Sequence, residues 1–287
     1  ALESHGSGSI SIKEVLAPAI KLAEKGFLLS HYEANRFNAY KEFFQENGAA
    51  AEIFIKKNQK PWKQNDRFIQ KDLAKTLKRI SKYGRDGFYS GPIADLIVKE
   101  MKKGNGLISI DDLKNYSSKY RKPIIGSYKG YKIVSMGPPS SGGALLINML
   151  NMMENYSEDS LQWNSSDYVH IMTEIQRRAY SDRAKHMGDP DYWKVPLGMF
   201  KSKEYAKIRS DDIDMNLATP SNTVYPGNPN RYESPETTHY SVVDQWGNAV
   251  SVTTTINLGY GNGCVVKVAG FFLNNEMDDF SSKPGVP

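Results

Sequence analysis

The sequence predicts an α+β fold, and three observations carry the prediction. Residues 10 to about 215 show helical periodicity, residues 237–257 are rich in β-branched and aromatic side chains, and a stretch at about 219–236 suits neither state. The 287 residues, 39% of them hydrophobic, suffice for one large domain or two smaller ones.

The helical part comes first. Residues 69–80 and 168–175 repeat apolar side chains at helical spacing, and a strand is interposed near 131–136. That strand runs into Met136-Gly137-Pro138-Pro139-Ser140-Ser141-Gly142-Gly143, and the apolar run Ala144 to Leu150 follows as a helix. Two readings of this loop stand side by side: amides at the helix start that bind an anion, or a tight turn that sets helix-to-sheet packing. It lacks the lysine of a phosphate-binding loop, so a nucleotide site is excluded.

Pro220, Pro226, Gly227, Asn228, Pro229, Asn230 and Pro235 then interrupt regular structure, and residues 219–236 read as an exposed linker. Beyond it, Thr237-Thr238-His239-Tyr240-Ser241-Val242-Val243 reads as a strand, Asp244 to Asn248 as a turn, and Ala249 to Asn257 as the returning strand. Alternation puts Thr253, Thr255 and Asn257 on one face of that strand. Threonine is also an ordinary strand residue, so the pattern alone does not make a site.

The last block, Gly270 to Ser281, begins as a short apolar strand and breaks into Asn274, Asn275, Glu276, Asp278 and Asp279. A buried strand would deliver such groups to a pocket rim. The acids lack the spacing and positioned glycine of a calcium loop, so no metal site is expected and a cationic ammonium is the better partner.

Composition excludes several functions. The formal charge of +5 and pI near 8.9 come from dispersed residues paired with acids, as in Lys99-Glu100-Met101-Lys102-Lys103, which marks a solvated face and not a nucleic-acid surface. No apolar run is long enough to span a bilayer. Cys264 is the only cysteine, so neither an internal disulfide nor a cysteine zinc cluster can form.

Three segments in order closely resemble the γ-glutamyltransferase family: Thr237 to Ser241, the strand end Thr255-Ile256-Asn257, and Asn274-Asn275-Glu276-Met277-Asp278-Asp279-Phe280-Ser281. The resemblance extends upstream through the helix at 13–27, Asp86 to Gly91, Met136 to Gly143 and Asp182 to Pro190, and so covers nearly the whole chain. Some bacterial members of the family carry Gln at the position of Glu276.

The resemblance implies an N-terminal nucleophile hydrolase with an αββα sandwich, incomplete in this chain. Residues 1–236 would be the C-terminal portion of a large subunit and 237–287 the N-terminal portion of a small subunit that pairs with it. Thr237 would attack the carbonyl carbon of Glu236, cut that bond, and then serve as nucleophile toward glutathione or another γ-glutamyl compound. Water, an amino acid or a peptide would accept the γ-glutamyl group. The freed α-amine, with a reference pKa of about 8, is a suitable base.

By the same resemblance, Thr255 orients the nucleophile, Asn257 contacts the glutamyl moiety, and Glu276 and Asp279 hold its α-amino group through charge-assisted hydrogen bonds. No cofactor is implied. The family's carboxylate-clamping arginine would precede Ala1, and its Ser-Ser pair and Gly-Gly oxyanion hole would follow Pro287, so the chain reads as truncated at both ends. Loss of an oxyanion donor costs around 3 kcal/mol of transition-state stabilisation, and this stretch alone is expected to be almost inactive. Family analogy implies a periplasmic or secreted location. Two other readings remain: a cephalosporin (glutaryl) acylase of the same fold, and a non-catalytic paralogue.

Overall fold

The computed structural model describes residues 2–157, 161–225 and 238–279. Contacts divide the chain into two compact units, one of residues 1–118 with 234–276 and one of residues 119–233 with 277–287. This division concerns packing, whereas the subunit boundary expected between 236 and 237 concerns a cut in the chain. Glu236 and Thr237 lie outside the described residues.

In the first unit the chain folds as α1 (Leu2–His5), α2 (Ile12–Lys25), β1 (Phe27–Leu28), α3 (His31–Ala39), α4 (Lys41–Glu46), α5 (Gly48–Phe54), β2 (Arg67–Phe68), α6 (Lys71–Tyr83), α7 (Asp86–Tyr89), α8 (Pro92–Lys103) and α9 (Ile110–Asn115). The starts of α2, α3 and α9 are capping boxes, built by Ser11 with Glu14, Ser30 with Glu33, and Ser109 with Asp112. Each box satisfies amides that have no partner within the helix. β1 pairs with β2 and brings Phe27 opposite Phe68.

Aromatic side chains fill the core of this unit. Phe44 stacks on Phe54 with ring centroids 4.9 Å apart, and Tyr260 meets Phe44 edge-on at 4.8 Å. Phe272 stacks on Phe54 at 5.2 Å. Residues near the end of the chain are therefore embedded among helices from its beginning. A second cluster joins Ile93, Ala94, Ile97 and Leu113 to Val266 and Ala269.

The second unit contains β3 (Ile124–Tyr128), β4 (Tyr131–Ser135), α10 (Gly142–Met153), α11 (Ser166–His186), α12 (Leu197–Lys201) and α13 (Lys203–Ser210). β3 and β4 form an antiparallel hairpin with Tyr128 opposite Tyr131. α10 packs on this hairpin and on α11 and α13, burying Leu145, Ile147, Met152, Ile171 and Ile175. The loop into α10 is a tight packing turn. A Cβ on Gly143 would lie 2.2 Å from the Met136 carbonyl oxygen, so only glycine lets the helix start so close to the strand.

The final hairpin belongs to the first unit: β5 (Thr238–Val243) and β6 (Ala249–Thr254), paired antiparallel from Thr238 opposite Thr254 to Val243 opposite Ala249. Asp244 closes its turn by accepting from the Trp246 and Asn248 amides at 2.9 Å each and from Asn248 Nδ2 at 2.8 Å. These bonds, that from Asn248 foremost, hold the Asp244 carboxyl below its usual range.

Helices and strands both occur, as α+β predicts. Among the described residues the strands form three separate two-stranded sheets, so the stacked layers of a sandwich are not assembled there. No helix among the described residues is long and apolar enough to cross a membrane.

Two strand expectations need correction. β6 ends at Thr254, so Thr253, Thr255 and Asn257 do not share one strand face, and Asn257 has a left-handed φ of 68° that breaks the alternation. The apolar run at 270–273 is not a strand either. Only Phe272 pairs, in a single bridge with Val265, because Gly270 turns the chain with φ 78° immediately before it.

Candidate active site

The loop after β6 is built from local hydrogen bonds. Thr255 Oγ1 accepts from the Asn257 amide at 2.8 Å, a side-chain turn that stops the strand and admits the left-handed residue. Asparagine tolerates that conformation better than most residues because its short amide bonds nearby backbone. Asn257 is 6% exposed.

A second arm meets this loop. Asn257 Nδ2 donates to the Asn275 carbonyl at 3.0 Å, the Leu258 amide donates to Asn275 Oδ1 at 3.0 Å, and the Asn275 amide donates to the Ile256 carbonyl at 3.3 Å. Asn275 thus bonds three successive residues, Ile256, Asn257 and Leu258, across the junction. Asn274 Oδ1 accepts from the Glu276 amide at 3.0 Å and starts the 3₁₀ turn Glu276–Asp279.

The helical core holds both arms from behind. Tyr260 and Val265 enter the aromatic cluster, and Thr76 Oγ1, itself buried, donates to the Ala269 carbonyl at 2.8 Å. Gly261 sits at φ 54°, where a Cβ would lie 2.0 Å from the Leu273 carbonyl oxygen. The Asn262 amide donates to that same oxygen at 3.2 Å, and the Leu273 amide donates to the Cys264 carbonyl at 2.9 Å. These contacts fix residues 258–273 as a compact loop that delivers Asn274 to Glu276 beside Thr255 and Asn257.

The structure therefore joins Thr255, Asn257 and Asn275 by hydrogen bonds, and Glu276 follows Asn275 in the chain with its amide bonded to Asn274 Oδ1. Thr255 is exposed, and Glu276 is half-buried with Oε1 enclosed. Asp279 ends the 3₁₀ turn, is exposed, and belongs by its contacts to the second unit. Thr237 and the Glu236–Thr237 bond are outside the described residues, so their roles rest on sequence.

His239, in the Thr237 to Ser241 segment, is bonded across the hairpin. On one face of the hairpin, His239 Nδ1 lies 2.8 Å from Thr253 Oγ1 and its Nε2 lies 3.0 Å from Ser251 Oγ, while Ser241 Oγ lies 3.1 Å from Ser251 Oγ. The alternation of β5 and β6 was enough to find it, because His239 opposes Thr253 and Ser241 opposes Ser251. Among the described residues no group of three or more His, Cys, Asp or Glu side chains could hold a metal ion.

The whole chain, residues 1–287, matches the family model described as gamma-glutamyltranspeptidase. The chain is 44% identical over 280 residues to the glutathione hydrolase proenzyme of Escherichia coli, an alignment covering 98% of this chain and 48% of that protein. The chain thus spans about half the length of the curated relatives it matches. Among solved structures, the Helicobacter pylori gamma-glutamyltranspeptidase superposes with a TM-score of 0.75 at 42% identity, over 82% of this chain and 66% of that one. The cephalosporin acylase of Bacillus halodurans superposes with a TM-score of 0.85 at 25% identity, over 97% of this chain and 50% of that one.

Proposed function

The chain belongs to the gamma-glutamyltranspeptidase family, and from that premise we propose that the whole protein is a self-processing γ-glutamyltransferase and glutathione hydrolase. Thr237 is its processing site and its nucleophile. The single observation that supports the reading is the hydrogen-bonded set of Thr255, Asn257 and Asn275, with Glu276 next in the chain, just past the end of β6. The last described pair there is Thr238 opposite Thr254, and Thr255 follows Thr254 directly in the chain.

In the precursor the Thr237 hydroxyl adds to the carbonyl carbon of Glu236. The C–N bond between them breaks as an ester forms, and water cleaves the ester to leave Glu236 as a carboxyl terminus. The released α-amine of Thr237 then takes the proton from its own hydroxyl, which attacks the γ-carbonyl of a γ-glutamyl amide. The amine of the leaving group departs with a proton, and the γ-glutamyl ester passes to water or to an amino acid or peptide amine. Thr255 orients the nucleophile, Asn257 contacts the glutamyl group, and Glu276 and Asp279 receive its ammonium. The subunits made by the cut stay paired in an αββα sandwich, and the protein acts outside the cytoplasm.

Likeness to a cephalosporin acylase supplies a second reading, removal of a glutaryl side chain. A glutaryl group has no α-ammonium, so Glu276 and Asp279 favour the γ-glutamyl substrate. Hydrolysis of γ-glutamyl and glutaryl anilides by the full-length protein tests the choice. Preference for the γ-glutamyl anilide, abolished by Thr237→Ala, supports the proposal, and preference for the glutaryl anilide overturns it.

A further inference from the structure

Resting on the reading of Thr237 as the nucleophile, we propose that His239 is a positioning residue that clamps the start of β5 onto β6 at the end of the hairpin nearest Thr255. Its part is separate from the contacts assigned above to Thr255, Asn257, Glu276 and Asp279. It acts through hydroxyls on the opposite strand.

The clamp begins with alternation along the two strands. His239 and Ser241 of β5 fall on one face with Thr253 and Ser251 of β6, while Tyr240, Val242, Val250 and Val252 take the other. His239 opposes Thr253 directly, and its ring reaches both that residue and the diagonal Ser251, with Nδ1 2.8 Å from Thr253 Oγ1 and Nε2 3.0 Å from Ser251 Oγ. A hydroxyl can donate or accept, so both ring nitrogens are served in either tautomer. Ser241 Oγ, 3.1 Å from Ser251 Oγ, extends the row toward the turn.

These bonds matter because packing does little for the hairpin within this chain. Of the residues of β5 and β6, only Val252 is less than exposed. The turn end is closed by Asp244, which accepts from the Trp246 and Asn248 amides and from Asn248 Nδ2. His239 supplies the corresponding hold at the other end, one pair in from Thr238 opposite Thr254. The hairpin is thus stapled by side chains near both of its ends.

β6 runs on into Thr255 and the junction of Asn257 with Asn275. β5 begins at Thr238, and its place beside that junction follows from its pairing with β6. A two-stranded hairpin is marginal on its own, and its ends open first. Opening of the first pair separates Thr238 from Thr254, and Thr238 is the residue joined by a peptide bond to Thr237. By holding that pair closed, His239 keeps the chain at the nucleophile in a fixed relation to Thr255.

The test uses the full-length protein and two readouts, the rate at which the precursor band becomes two bands and the steady-state kinetics on a γ-glutamyl anilide. His239→Phe keeps a ring and loses both bonds, so the conversion rate and kcat fall about ten-fold, while KM stays within about two-fold of wild type because the Asn275 junction is untouched. Thr253→Val with Ser251→Ala breaks the same bonds from the other strand and gives the same fall, and His239→Phe added to that pair costs nothing further. A ring that acts on substrate or on the reacting atoms would still show its full cost in that background, and this result overturns the clamp. So does a His239→Phe protein that cuts itself and turns over at the wild-type rate, or one whose KM rises as far as its kcat falls. In each of those cases the reading of Thr237 stands, whereas a wild-type precursor that never cuts overturns that reading and the clamp with it.

Discussion

Asn257 Nδ2 donates to the main-chain carbonyl of Asn275 at 3.0 Å, joining residues eighteen apart in sequence across the rim of the candidate site. A second bond lies beside it, because Asn275 Oδ1 accepts from the Leu258 amide. Asn257 and the arm carrying Glu276, to which we assign the glutamyl and ammonium contacts, are therefore set by the same junction, and changes to it are expected to affect stability and binding together.

Asn257→Ala removes the side-chain donor from a buried position and places a residue with no local hydrogen bond at φ 68°. A loss of about 1–3 kcal/mol is expected, from the lost bond to the Asn275 carbonyl and the left-handed backbone. Asn257→Gly, which tolerates the backbone, loses less. Urea denaturation of the full-length protein checks both, and equal stability of wild type and Asn257→Ala contradicts the account.

Gly261→Ala is expected to be severe for a different reason. The added Cβ has nowhere to go, since the atom it meets at 2.0 Å is main-chain oxygen and not a flexible side chain. Relief requires residues 258–273 to shift, which moves Asn274 to Glu276. The variant should lower the thermal midpoint and raise KM for γ-glutamyl substrates, and a variant with unchanged KM would show that this loop does not set the site.

Glu276→Gln keeps the shape of the side chain and removes its charge. A hydrogen bond to a charged group is worth about 1.5–3 kcal/mol, so KM for a γ-glutamyl anilide should rise about ten- to hundred-fold with a smaller change in kcat. Hydrolysis of a glutaryl anilide, which lacks the ammonium, should not fall in parallel. Equal losses on both substrates would remove Glu276 from ammonium recognition.

Asp182 makes a pH prediction with a definite sign. Burial pushes its carboxyl above the usual range although Arg209 draws it down, so the folded state holds the proton more tightly than the unfolded chain. Its contribution is therefore present below the unfolded value of about 3.9 and is lost as pH rises through the raised folded value. Asp182→Asn should flatten that part of the stability profile, measured as urea midpoints from pH 4 upward. An unchanged slope would place the group's titration elsewhere.

Much of the architecture was legible because it is encoded locally. The Ser11–Glu14 box, the helical spacing at 69–80 that became α6, and the turn residues after Val243 each act within a few positions. What was not legible depends on distant partners. Nothing near 270–273 shows that Phe272 stacks on Phe54 and makes only one bridge. Thr255 looked like a strand residue until its hydroxyl was found to bond the Asn257 amide. Glu174, Arg178 and Asp182 have the spacing of a solvated helix face, yet all three are buried, with Arg209 of α13 bonded to Asp182 and to the Arg178 carbonyl. The site residues themselves came from the order of three motifs, which neither composition nor periodicity could have supplied.

The most direct test of the central claim is the intact mass and N-terminal sequence of the full-length protein after incubation. The account predicts two chains, with Thr237 the first residue of the smaller and Glu236 the last of the larger, and a single uncut chain for Thr237→Ala. A wild-type protein that remains one chain while hydrolysing γ-glutamyl substrates would contradict it, because an internal threonine has no α-amine to serve as its base.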